Sequence, residues 1–83
     1  MNDDELIVKY LEPNPDKGGK AEYRLKKHGL SVWAVIGRYQ YVSDAARVAE
    51  DCEISEEAVS AALAFYRRNK PVIDDRIAAN EWI

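Results

Sequence analysis

The chain has 83 residues, 47% of them hydrophobic, and a formal net charge of −3. A chain of this length forms one domain whose core is barely large enough for stability, so we expect a single domain over residues 1–83 that forms a homodimer. One cysteine, Cys52, excludes an intrachain disulfide and is expected to be a buried structural thiol. No apolar run approaches the length of a membrane span, so we expect a cytoplasmic protein without membrane contact.

Charge is distributed unevenly along the chain. Residues 1–16 carry five acids and one base (−4), residues 17–47 two acids and seven bases (+5), and residues 48–83 eight acids and four bases (−4). A basic centre between acidic ends is typical of a surface that contacts phosphate or an acidic protein surface. An ordinary solvated surface fits the same charges equally well.

Residues 1–30 are predicted to form a two-stranded β-arm. The run 6–11 is rich in β-formers, and residues 21–25 alternate apolar and polar side chains. Prolines and glycines in residues 13–19 predict a long loop between the two strands. A two-stranded arm is marginal in water, so it should pack on the helices or on a second copy.

Residues 31–70 are predicted to form a helical core, followed by a helical tail over residues 71–83. Ser31, Ser43 or Asp44, and Ser55 are suited to cap three successive helices. The first of these helices is apolar around most of its circumference, so one of its sides can be an interface. Pro71 predicts either a kink or the start of a separate helix.

A helix-turn-helix pattern lies within this core. Ala49 is small where two helices would cross, and Ile54 is placed to fill the gap after the turn. Ser55 can cap the second helix, and Val59 would face the core. The turn usually contains glycine, which adopts the left-handed conformation easily. Here the residue is Glu53, and a non-glycine residue in that conformation costs roughly 1–2 kcal/mol of stability. A plain antiparallel helical hairpin is the alternative.

If this motif binds DNA, the helix that begins after Ser55 would enter the major groove. Glu56 and Glu57 would oppose phosphate there. Affinity would then come mainly from phosphate contacts made by the arm and the first helix, with a steep salt dependence. The candidate DNA-binding residues are Lys17, Lys20, Arg24, Lys26, Lys27, Arg38, Arg47, Ser55 and Ser60.

The composition gives no indication of catalysis. The chain has one histidine and one cysteine, and its sequence contains neither a metal-ligand motif nor a phosphate-binding glycine loop. We therefore expect no enzymatic activity, no metal and no cofactor.

Several segments together resemble one protein family. They are Gly18-Gly19, Tyr23-Arg24-Leu25, Gly29 to Gly37, Val48 to Asp51, Ile54 to Arg68 and Ile73 to Asn80. They resemble the family termed domain of unknown function 433, whose members include VapB-type antitoxins. The resemblance covers most of the chain and implies a homeodomain-like helix-turn-helix core with a β-arm that supports dimerisation. It also implies a PIN-like ribonuclease toxin as the partner, and repression of the protein's own operon through operator DNA.

Contact with such a toxin would require exposed arginine and apolar side chains, since these dominate interface energies. The candidate partner-binding residues are Arg67, Arg68, Ile73, Arg76, Ile77 and Trp82. Each of these residues can instead have a structural role. Arg67 and Arg68 can complement the negative end of a helix dipole, and Trp82 can pack back on the core. Two other functions also fit the sequence: a free-standing homodimeric helix-turn-helix regulator, and an interaction module without DNA binding.

Overall fold

The computed structural model describes residues 1–81, which are mainly helical. Their helices are α1 (Asp3–Tyr10), α2 (Val32–Val42), α3 (Ala45–Cys52), α4 (Glu56–Arg68) and α5 (Lys70–Glu81). Two short strands, β1 (Leu11–Glu12) and β2 (Arg24–Leu25), pair antiparallel with Leu11 opposite Leu25. The predicted mainly helical class with a small N-terminal sheet is confirmed.

The first helix corrects the prediction for the N-terminus, because residues 6–10 belong to α1 rather than to a strand. The Asn2 side chain caps this helix and accepts a hydrogen bond from the backbone N–H of Glu5 at 2.8 Å. Acids in the first turn complement the positive end of the helix dipole. Leu6 is buried in the core. Capping and burial thus outweigh the β-propensity of Ile7 and Val8.

The second predicted strand is confirmed only at Arg24–Leu25. Residues Lys20–Glu22 form a turn of 3-10 helix instead. The predicted loop over residues 13–19 is confirmed, and within it Gly19 has a φ of 93°, which glycine adopts without strain. The N-terminal region is therefore a helix followed by a minimal antiparallel ladder, and the predicted β-arm is wrong in this respect.

Helix α4 lies at the centre of the domain and contacts the other four helices. Six of its 13 residues are buried, among them Val59 and Phe65, so this helix supplies a large part of the core. Ala61 and Ala64 are also buried, and their small side chains allow neighbouring helices to approach closely. Helix α2 packs against α3, α4 and α5 and buries Val32, Val35 and Ile36.

The predicted burial and capping around the turn from α3 to α4 are confirmed. Ala49, Ile54 and Val59 belong to one buried cluster. Glu53 adopts the left-handed conformation, with φ 58° and ψ 43°, and ends α3. The Ser55 hydroxyl oxygen accepts a hydrogen bond from the backbone N–H of Ala58 at 3.0 Å. The sequence-predicted Ser31 cap is wrong in detail, because its side chain makes no capping hydrogen bond.

Replacing Glu53 by glycine should raise the free energy of unfolding by about 0.5–1 kcal/mol, because glycine adopts a positive φ at little cost. Urea denaturation followed by circular dichroism measures the change. Glu50→Gly, within α3, is the matched control and should lower stability by about 1 kcal/mol. Lower stability of Glu53→Gly would contradict the left-handed turn.

The tail forms its own helix, α5, which packs into the core of the domain. Helix α4 ends before Asn69, whose carbonyl oxygen accepts a hydrogen bond from the backbone N–H of Ile73 at 3.0 Å. Ile73 and Ile77 are buried against the other helices. The Tyr66 hydroxyl donates a hydrogen bond to the Asp74 carboxylate at 2.6 Å and links α4 to α5. The boundary between core and tail therefore lies at residue 69.

Candidate interaction surface

Ion pairs join α1 to both ends of α4. At the start of α4, the Glu57 carboxylate accepts hydrogen bonds from the Tyr10 hydroxyl at 2.6 Å and from the Lys9 ammonium at 3.1 Å. At the end of α4, the Arg67 guanidinium donates to both carboxylate oxygens of Asp3, at 3.0 and 3.1 Å, and the Arg68 guanidinium donates to Asp4. Because the start of α1 meets the end of α4, the two helices run antiparallel.

One face of α4 lies beneath α1. Glu57, Ala61, Ala64 and Arg68 are spaced by four, three and four residues, which places them on one side of a helix. The two outer members of this set contact α1, and the two alanines between them are fully buried. We call these four residues the covered face of α4.

Beside this face lies a strip formed by Glu56, Ser60, Leu63 and Arg67, in which Leu63 packs partly on the core. Its first residue is acidic, and its last is bound to Asp3. Ser60 is half-buried. If this strip contacted DNA, it would begin with a carboxylate, and its one neutral polar side chain would be the hydroxyl of Ser60.

All six arginines of the chain pair with carboxylates of the same chain. Among the candidate DNA contacts, the Arg24 guanidinium lies 2.8 Å from the Glu12 carboxylate. Arg38 and Arg47 share Asp51, at 2.8 and 3.3 Å respectively. These pairings compensate most of the arginine charge on which the predicted phosphate contacts depended.

The candidate lysines are distributed over different parts of the molecule. Lys17 lies in the exposed loop, and Lys20 lies in the 3-10 turn, which packs against α2 and α5. The Lys26 ammonium donates to the carbonyl oxygen of Val8, in the last turn of α1, at 2.6 Å. Lys27 follows in the same turn and lines a cavity beside Tyr10 and the start of α4. Lys26 and Lys27 therefore lie near the end of α1, whereas Lys17 and Lys20 belong to other segments.

A cavity of about 280 Å³ lies at the start of α4. Lys27, His28 and Tyr10 line it together with Ser55 and Ala58. The structure thus brings together two sequence-predicted candidates, Lys27 and Ser55. The Ser55 oxygen is engaged in capping α4, although its hydroxyl proton can still be donated.

Two of the candidate partner-binding residues are corrected by the structure. Ile73 is fully buried in the core, so its side chain is not presented to a partner, and Ile77 is 9% exposed and shows only a small part of its side chain at the surface. Arg76 donates to the Glu22 carboxylate at 2.8 Å, and its guanidinium lies 4.3 Å from the centre of the Trp33 ring. Arg67 and Arg68 bind the acids of α1, as described above, and Trp82 lies outside the described residues.

An apolar groove that was not predicted from the sequence lies between α2 and α5. Trp33, Gly37 and Tyr41 follow one another at four-residue spacing along α2, and Ile77 lines the groove from α5. Its volume is about 350 Å³, and Tyr41 is 84% exposed. The apolar residues around most of α2 were the signal for this surface, but they did not indicate which side would remain exposed.

The carboxyl groups of Glu57 and Asp51 and the thiol of Cys52 have shifted pKa values. The hydrogen bond from Tyr10, followed by that from Lys9, lowers the pKa of Glu57. The hydrogen bond from Arg38 lowers the pKa of Asp51. Burial raises the pKa of the half-buried Cys52 thiol, so this cysteine is not an activated thiolate. The prediction of a buried thiol is wrong in degree, because Cys52 packs against the core but is only partly buried.

Replacing Tyr10 by phenylalanine should raise the pKa of Glu57 toward its ordinary value, because the strongest donor to the carboxylate is removed. A depressed carboxyl pKa stabilises the fold above the unfolded pKa, and this contribution is lost as the pH falls through the folded pKa, below roughly pH 4.5. The variant should show a smaller loss in that window. Carbon-detected NMR titration of Glu57 measures the shift, Tyr41→Phe is the control, and an unchanged Glu57 pKa would contradict the contact.

Comparison with protein-family models, with curated proteins and with solved structures found no match. Within residues 1–81, the acidic, cysteine and histidine side chains form no group of three or more that could hold a metal ion. No helix in this described part is long and apolar enough to span a membrane.

Proposed function

We propose that this protein is an antitoxin-like module that binds and inhibits a PIN-like ribonuclease, and that its core is of the homeodomain-like helix-turn-helix type. The observation that carries the proposal is the binding of protein carboxylates by Arg67 and Arg68 at the end of α4. A nuclease of this class holds its metal in an acidic site. Guanidinium groups that donate hydrogen bonds to carboxylates of their own chain have the chemistry to bind such a site.

The arrangement of α4 favours a protein partner over DNA reading. Helix α1 covers one face of α4, and Glu56 and Glu57 carry negative charge at the end that would approach phosphate. The arginines that could compensate this charge already have carboxylate partners. A protein surface is a better match than a polyanion.

The apolar groove between α2 and α5 supplies a second region for the same contact. Tyrosine and tryptophan side chains contribute disproportionately to interface energies, and Tyr41 and Trp33 stand at the two ends of its α2 wall. Arg38, beside them, shares Asp51 with Arg47, so two positive charges face one negative charge. Because Asp51 already engages both arginines, the contact proposed for this region depends on the two aromatic side chains.

The test is co-expression with the product of the adjacent gene, followed by purification, mass measurement and an RNA-cleavage assay. We expect a stable complex in which cleavage is suppressed. Tyr41→Ala should weaken the complex about 30-fold, the change for a central aromatic contact worth 2 kcal/mol. Glu50→Ala, an exposed residue of α3, is the control and should leave affinity unchanged. An active nuclease that does not co-purify would overturn the proposal.

A second candidate function, DNA binding by a free-standing homodimeric regulator, is favoured by the cavity at the start of α4. Lys27 and His28 line it beside the start of that helix, where the positive end of the helix dipole suits a backbone phosphate. Electrophoretic shift with the operator region at low and moderate salt distinguishes the two functions. A specific complex formed without the nuclease, and lost in Lys27→Ala, would support the regulator.

A further inference from the structure

No further inference is drawn: the strongest candidate, the apolar groove that Trp33, Gly37 and Tyr41 of α2 form with Ile77 of α5, already belongs to the proposed contact with the nuclease, and nothing in the structure shows another occupant that covers it.

Discussion

Replacing Phe65 by alanine is expected to lower the free energy of unfolding by about 3–5 kcal/mol. Phe65 is 4% exposed on the central helix, and its ring stacks on that of Tyr23 with centroids 4.6 Å apart. The substitution leaves a cavity between α4 and the segment before β2. A domain of this length has a total stability of roughly 4–12 kcal/mol, so the variant should be largely unfolded at mild urea concentrations.

Urea denaturation monitored by circular dichroism and by tryptophan fluorescence measures this loss. Leu63→Ala is the matched control on the same helix, because Leu63 is half-exposed. Its loss should be about 1 kcal/mol. If the Phe65→Ala variant were as stable as the Leu63→Ala variant, the Phe65 ring could not be part of the core.

The Ile73→Ala substitution is expected to lower stability by about 2–4 kcal/mol. Ile73 is fully buried, so α5 contributes to the core of the domain. The sequence predicted that Ile73 belongs to a partner-binding surface, whereas the structure places it in the core. A core residue and a partner contact predict different outcomes for this substitution. A residue that served only as a partner contact would leave the free energy of unfolding unchanged and weaken the complex alone.

The neighbouring Val72→Ala substitution is the control for α5, since Val72 is 41% exposed. It removes apolar atoms from the same helix and should cost less than about 1 kcal/mol. Thermal and urea denaturation of both variants, compared under identical conditions, measures the difference. Equal losses for the two variants would contradict the orientation of α5.

The turn between α3 and α4 was predictable because its determinants are local. Ser55 and the acids after it specify a helix start, and Ile54 and Val59 are separated by five residues across that start. The predicted left-handed conformation of Glu53 follows from the same spacing. Interactions within ten residues of one another suffice for this part of the fold.

The N-terminal helix was not predictable from propensity. Ile7 and Val8 favour strands, whereas the capping side chain of Asn2 and the acids after it favour a helix. The decisive contribution is the burial of Leu6 against α4, which a local reading cannot evaluate. The same burial places Asp3 within reach of Arg67, 64 residues later in the chain.

The helical class, the turn at residues 53–55 and the starts of α2, α3 and α4 followed from the sequence, because caps, periodicity and helix breakers act over a few residues. The tertiary structure alone decided which charges meet, since the partners of Arg67, Arg68 and Arg76 lie more than 50 residues away. It also decided that Ile73 faces inward while Tyr41 faces solvent. Helical periodicity identifies an apolar face, but only the packing of the other helices determines whether that face is covered.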